Sequence, residues 1–141
     1  MGETRKDDSS HLSPVRAPGK TAHCYTIVNL QRGSTLAAQV RLAGTSAARR
    51  KGLLGMGSLE SGSGLWIAPC EAIHTFGMKM SIDAIFLDRE HRVKKLKADL
   101  RPFRIAICLR ACSVLELEAG TILRTGTKVG DCLLFQAAWQ P

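Results

Sequence analysis

The sequence predicts a mainly β protein: a β-sandwich, jelly-roll-like fold or partly closed barrel, with one or two short helices. Three observations lead there. Seven or eight short strand-like segments recur along the chain, separated by Gly, Ser, Asn and Asp turn signals. The segment "SVLELEAGT" (Ser113 to Thr121) alternates with a period of two, Leu115 and Leu117 on one face and Glu116 and Glu118 on the other. The segment "MSIDAIFLD" (Met80 to Asp88) is apolar on both faces apart from Asp83, as a strand covered on both sides must be.

The elements follow in order. "CYTIVNL" is β-branched and aromatic and reads as a strand, "QRGS" as a turn, and "TLAAQVRLA" as a second strand. Thr45 or Ser46 can cap a short helix through Arg50, which Gly52 or Gly55 can end. Gly55 to Gly64 is a flexible Gly/Ser loop, and "GLWIAP" a short strand. "DREH" is the turn between the strand of Asp83 and its return partner "RVKKLKADL". "RPFRIAICLRAC" is ambiguous in its secondary structure, with Pro102 interrupting its start. After "SVLELEAGT", Thr121 can cap one helical turn, "TKVGD" turns, and "CLLFQAAW" is the last strand. No internal repeat is present.

A chain of 141 residues with 45% hydrophobic content fits one domain. Residues 1–22 are rich in Ser, Pro and charge and are expected to be a disordered tail, leaving 23–141 as one β-rich domain. No apolar run approaches the ~20 residues needed to cross a bilayer, and the first residues carry neither a secretory nor a myristoylation pattern. A cytoplasmic protein with no membrane partner is therefore expected. The five cysteines are widely spaced and odd in number, which argues against a disulfide framework. The net charge is +8, and Arg89 to Arg110 holds eight Lys or Arg against Glu90 and Asp99. That segment could attract nucleic acid, anionic lipid or an acidic partner, though a solvated basic face is the simpler reading. For single-stranded nucleic acid it offers only Phe103 as a stacking ring.

Chemistry concentrates in "PCEAIHTFGMKMSIDAIFLD" (Pro69 to Asp88). Cys70-x3-His74 and Cys108-x3-Cys112 contain soft metal ligands, but strand residues four apart lie roughly 13 Å apart, so each pair would need a loop or helix. Cys70 could serve as a nucleophile if His74 activated it, with Asp83 or Glu116 orienting the imidazole. No complete catalytic motif accompanies them. Asp83 is expensive to bury unpaired, and Arg49, Arg50, Lys79 or backbone N–H groups are its candidate partners. Glu116 and Glu118 most simply line the solvent side.

Four segments in order, "RRKGLLGM", "GLWIAPCEAIHTFGMKMSIDAIFLD", "SVLELEAGT" and "VGD", resemble the domain-of-unknown-function 192 (DUF192) family of small bacterial and archaeal proteins, from roughly Leu36 to Phe135. The resemblance implies a compact mainly-β fold and no established activity, substrate or cofactor. The common family form places an aromatic–Met–x–Asn–Thr segment before the strand Asp. Here "HTFGM" stands in that place, as in a variant subgroup built on Cys-x3-His-Thr-Phe. Asp83 carries over; the Asn-Thr pair does not.

These readings lead to a non-enzymatic binding or accessory module. Its polar pocket is expected from Arg50, His74, Thr75 and Asp83, with Arg50 facing Asp83 or a small polar or anionic ligand. No cofactor and no metal are expected. The alternatives are a hydrolase-type or metal-dependent enzyme using Cys70 and His74, and a binder of nucleic acid or an acidic partner through residues 89–110.

Overall fold

The computed structural model describes residues 24–138, so the expected tail over 1–22 lies outside the described residues. The elements run β1 (Cys24–Asn29), β2 (Ser34–Ala43), α1 (Ser46–Lys51), β3 (Ser63–Ile67), β4 (Ala72–His74), β5 (Ile82–Leu87), β6 (Val93–Leu100), β7 (Ile105–Ile107), β8 (Ser113–Glu118), α2 (Thr121–Thr125) and β9 (Leu133–Ala138). The mainly β expectation holds, with two short helices. The strands exceed the expected number because β4 and β7, three residues each, pair with one another as a separate small sheet.

The other seven strands form one sheet in the order β6-β5-β8-β3-β2-β1-β9, antiparallel except for the parallel β2–β3 pair. The sheet curls until its two edge strands meet at one end. There Arg92 bridges Cys132, the Val93 amide donates to the Asp131 carbonyl at 2.8 Å, and the Leu133 amide donates to the His91 carbonyl at 2.9 Å. Closure of this kind satisfies edge groups that would otherwise invite pairing with another chain. The seam is reinforced by Asp131, whose Oδ2 accepts from the buried Asn29 amide, from the Lys128 backbone N–H and from Arg32 Nε.

Each face of the curled sheet carries its own core. One face buries Ile27, Val40, Ile85, Leu87, Leu115 and Leu117. The opposite face buries Ala84, Phe86, Val114 and Ile67 beneath Leu53, Ile73 and Ala106. That second layer is why β5 is apolar on both faces, and all six of its residues are buried.

Local chemistry sets the element ends. Thr45 Oγ1 accepts from the Ala48 amide and starts α1; Gly52, at φ +48, ends it by donating to the Ala48 carbonyl. Thr121 does not cap α2 as expected. Gly120 occupies the cap position with no side chain to offer, and the Thr121 hydroxyl instead donates to the Glu118 carbonyl at 2.7 Å.

Candidate functional site

The strand acid comes first because its cost is largest. Asp83 is fully buried, and its partners are backbone amides, not Arg49, Arg50 or Lys79. Oδ1 accepts from the Asp99 N–H at 2.9 Å, and Oδ2 accepts from the Ile122 N–H at 2.8 Å. The first contact fills a bulge: between Ile82 and Ala84 the β5–β6 register slips, leaving an extra β6 residue opposite Asp83. The second supplies the N-terminal cap that Gly120 cannot give to α2. Asp83 therefore ties a strand, a bulge and a helix together.

Thr75 is likewise a fastener. Its hydroxyl donates to the Arg101 carbonyl at 2.6 Å and accepts from the Arg104 amide at 2.9 Å, and its own amide donates to the Arg104 carbonyl. The side chain is buried beneath the β6–β7 connection.

His74 and Arg50 line one cleft, and Thr75 and Asp83 do not line it. A cleft of about 560 Å³ opens between α1 and β4. Ser46, Arg49, Arg50 and Lys51 form one wall; Pro69, Cys70, Glu71 and His74 form the other. The only ion pairs among the described residues are Arg32–Asp131 and Lys94–Asp88, so neither arginine is held by a carboxylate. Arg49 donates to the Gly44 carbonyl and Arg50 Nε to the Ser46 carbonyl, contacts within or beside their own helix. His74 is exposed at the mouth, its ring stacked on Phe76 with centroids 5.4 Å apart.

The polar group inside this cleft is Glu116. It pairs with Leu65 on β3 and Ala84 on β5, in the middle of the second core, and only 3% of it is exposed. Its Oε2 is buried with no hydrogen-bond partner among the described residues. Burial pushes its carboxyl up to about 7, so near neutral pH it holds a proton about half the time. The expectation that Glu116 faces solvent is thus corrected. The alternation correctly put it opposite Leu115 and Leu117, but α1 and β4 cover that face too.

Cys70 lies on the cleft wall close enough to feel both Glu116 and Arg49. Its thiol donates to the Ala72 carbonyl at 3.1 Å, and partial burial pushes its pKa up, further raised by Glu116. An activated nucleophile needs the reverse shift and a base contact. Among the described residues, no group of three or more His, Cys, Asp or Glu is arranged to hold a metal ion. No helix among them is long and apolar enough to cross a membrane.

The model of the DUF192 family, described as an uncharacterized ACR, matches residues 27–135. The chain belongs to the DUF192 family. Two solved structures share its fold. One is a candidate transcription regulator from Sinorhizobium meliloti 1021, 21% identical, with a TM-score of 0.72 over 82% of this chain and 94% of the other. The second is a protein of unknown function from Novosphingobium aromaticivorans DSM 12444, 23% identical, with a TM-score of 0.71 over 94% of this chain and 99% of the other. No curated protein matches the chain.

The segments that resemble DUF192 proteins now have places. "RRKGLLGM" supplies the cationic wall of the cleft and Leu53 beneath it. "SVLELEAGT" supplies Glu116 and the Gly120 that leaves α2 to be capped by Asp83. "VGD" supplies Asp131 at the closing seam. Sequence reasoning weighed Glu116 only as a possible orienting acid for His74 or a solvent-side residue; as the buried acid of the cleft, its only further signal was an acid alternating with two leucines.

Proposed function

We propose that this DUF192 chain is a small binding module whose ligand is an organic anion seated between α1 and β4. The observation that carries the reading is a buried, unpartnered carboxyl oxygen on Glu116 within a cleft one of whose walls carries Arg49, Arg50 and Lys51, none of them ion-paired among the described residues. A volume of about 560 Å³ suits a small molecule, and ligand clefts typically span roughly 300–1,000 Å³. Arg49 and Arg50 would take the anionic group through charge-assisted hydrogen bonds. Protonated Glu116 would donate a hydrogen bond to the ligand, so the buried acid becomes satisfied only when the cleft is filled. Asp83 and Thr75 hold the scaffold and do not enter the binding reading. A hydrolase acting through Cys70 and His74 lacks its central contact, because the Cys70 thiol is engaged with the Ala72 carbonyl.

The test is a thermal-shift and calorimetric screen of short mono-, di- and tricarboxylates and inorganic phosphate, since a specific binder raises apparent stability by mass action. Arg50→Gln should weaken the response by about tenfold or more without unfolding the chain, because Arg50 bonds only within its own helix. Glu116→Gln keeps a donor in place and should retain binding while losing its decline above neutral pH. A panel in which no anion shifts the melting temperature, or in which Arg50→Gln responds as the parent does, sinks the reading.

A further inference from the structure

A surface strand usually turns its apolar side inward. Along "FRIAICL" the pattern is reversed. Phe103, Ile105, Ile107 and Leu109 are 68%, 60%, 48% and 79% exposed, while Ala106 between them is 2% exposed. Within β7, Ile105 and Ile107 share the outward face; Phe103 in the bend before the strand and Leu109 in the turn after it add exposed apolar surface at its two ends. Phe76 widens it, its ring centroid 6.3 Å from that of Phe103.

The row is held in place. Phe103 sits at φ +60, a conformation that a bulky side chain rarely adopts. Thr75 grips the chain on both sides of it through Arg101 and Arg104, and its carbonyl accepts from the Phe103 amide at 3.2 Å. The ring is thus presented to water by a buried fastening. Cations flank it: Arg101, Arg104 and Arg110 on the same segment, and Lys95, which reaches β7 by donating to the Ile107 carbonyl at 2.7 Å. Asp99 is the acid nearest in the chain.

We propose that this face seats the protein on an anionic lipid surface. Phe103, Ile105, Ile107 and Leu109 would enter the boundary between headgroups and acyl chains, and Arg101, Arg104, Arg110 and Lys95 would meet the anionic headgroups. This is attachment to a surface, distinct from spanning it. Charge complementarity selects the occupant. A second copy would oppose these cations with its own, in a chain already carrying +8. A peptide helix needs a groove, and the cleft between α1 and β4 is lined by none of the four side chains. Single-stranded nucleic acid needs aromatic platforms, whereas three of the four row residues are aliphatic. The face borders the cleft, since Ile105 pairs with His74 and Ile107 with Ala72 across β4 and β7, but its argument does not rest on the anion reading.

The experiment is sedimentation of the intact chain with phosphatidylcholine vesicles, with and without phosphatidylglycerol, alongside binding to a single-stranded oligonucleotide and to polyglutamate. Thermal melts verify that each variant is folded. The parent should sediment with phosphatidylglycerol vesicles only, and less as salt rises. Arg104→Gln/Arg110→Gln should lower vesicle affinity roughly 30-fold, from about 1 kcal/mol per cation. Phe103→Ser/Leu109→Ser, which keeps every charge, should lower it by at least about tenfold. Vesicle binding unchanged by the second variant overturns the proposal. So does binding to the oligonucleotide or polyglutamate with the vesicles left inert, or a dimer that the Phe103→Ser/Leu109→Ser variant dissolves.

Discussion

Asp83 and Glu116 sit on neighbouring strands of one sheet, a single residue out of register, and face opposite sides. Asp83 pairs with Leu117, while Glu116 pairs with Ala84, the next residue of β5. Both acids are buried among apolar side chains, yet their fates differ. Asp83 faces the side of Ile85 and Leu87 and has a backbone amide for each oxygen. Glu116 faces the cleft side and leaves Oε2 without a partner. A fully satisfied buried acid organises a fold; an unsatisfied one beside an opening costs stability that a ligand can restore.

Asp83→Asn should therefore be a stability variant with intact cleft binding. Asparagine keeps one acceptor oxygen but points an NH2 at one of the two amides that Asp83 satisfies. The loss of a charge-assisted bond and a stranded buried donor should together cost about 3 kcal/mol. Urea unfolding should show the midpoint falling with an unchanged slope. Anion affinity of the remaining folded protein should match the parent; a binding loss greater than the stability loss would place Asp83 in the site after all.

The difference between these two acids also marks how far the sequence could be read. β5 was legible because a strand covered on both faces has no polar side, and α1 because Thr45 and Gly52 bracket it. β4 and β7 were not, because three residues carry too little periodicity; they exist where Ile73 and Ala106 meet across the pair. Alternation showed that Glu116 opposes Leu115 and Leu117. It could not show that α1 and β4 fold over that side. Asp83 was legible as costly, but its partners lie 16 and 39 residues away and are backbone amides, which no residue type announces.

Cys70 should react slowly as a nucleophile. Burial and the neighbouring Glu116 raise its pKa, and its proton is engaged by the Ala72 carbonyl. Alkylation followed by mass spectrometry, peptide by peptide, should find Cys70 modified more slowly than an unperturbed thiol at the same pH. His74→Ala should leave that rate unchanged, since no hydrogen bond joins the two side chains among the described residues. A fall in rate on removing His74 would restore the enzyme reading.

Thr75→Val keeps the shape and removes the hydroxyl that joins Arg101 to Arg104. Two contacts disappear, and the Arg101 carbonyl and Arg104 amide lose a partner beneath a partly exposed loop. The expected cost is about 1–2 kcal/mol. Hydrogen exchange at the Arg104 amide should rise, because opening this connection becomes a local event. The same variant tests whether Phe103 is held out by Thr75: its exposed ring should gain mobility in NMR relaxation while the rest of the sheet is unaffected.

Glu116 makes stability depend on pH in a direction opposite to that of salt-bridged carboxylates. Its folded value, about 7, lies above its ordinary 4.5, so the folded state holds the proton more tightly. The native state is therefore favoured most below about pH 4.5, and that advantage is lost as pH rises to and through 7. The difference corresponds to on the order of 3 kcal/mol for this deeply buried group. Glu116→Gln cannot ionise. It should flatten this part of the profile and be the more stable protein at about pH 8, while differing little at about pH 5. Urea unfolding of parent and variant at both values decides it. A saturating anion should widen the gap at pH 8, because a ligand that requires the neutral acid binds the Glu116→Gln variant without first having to protonate it. Equal pH dependence in parent and variant would mean that Glu116 is solvated within the cleft, and the coupling of proton to ligand would fall with it.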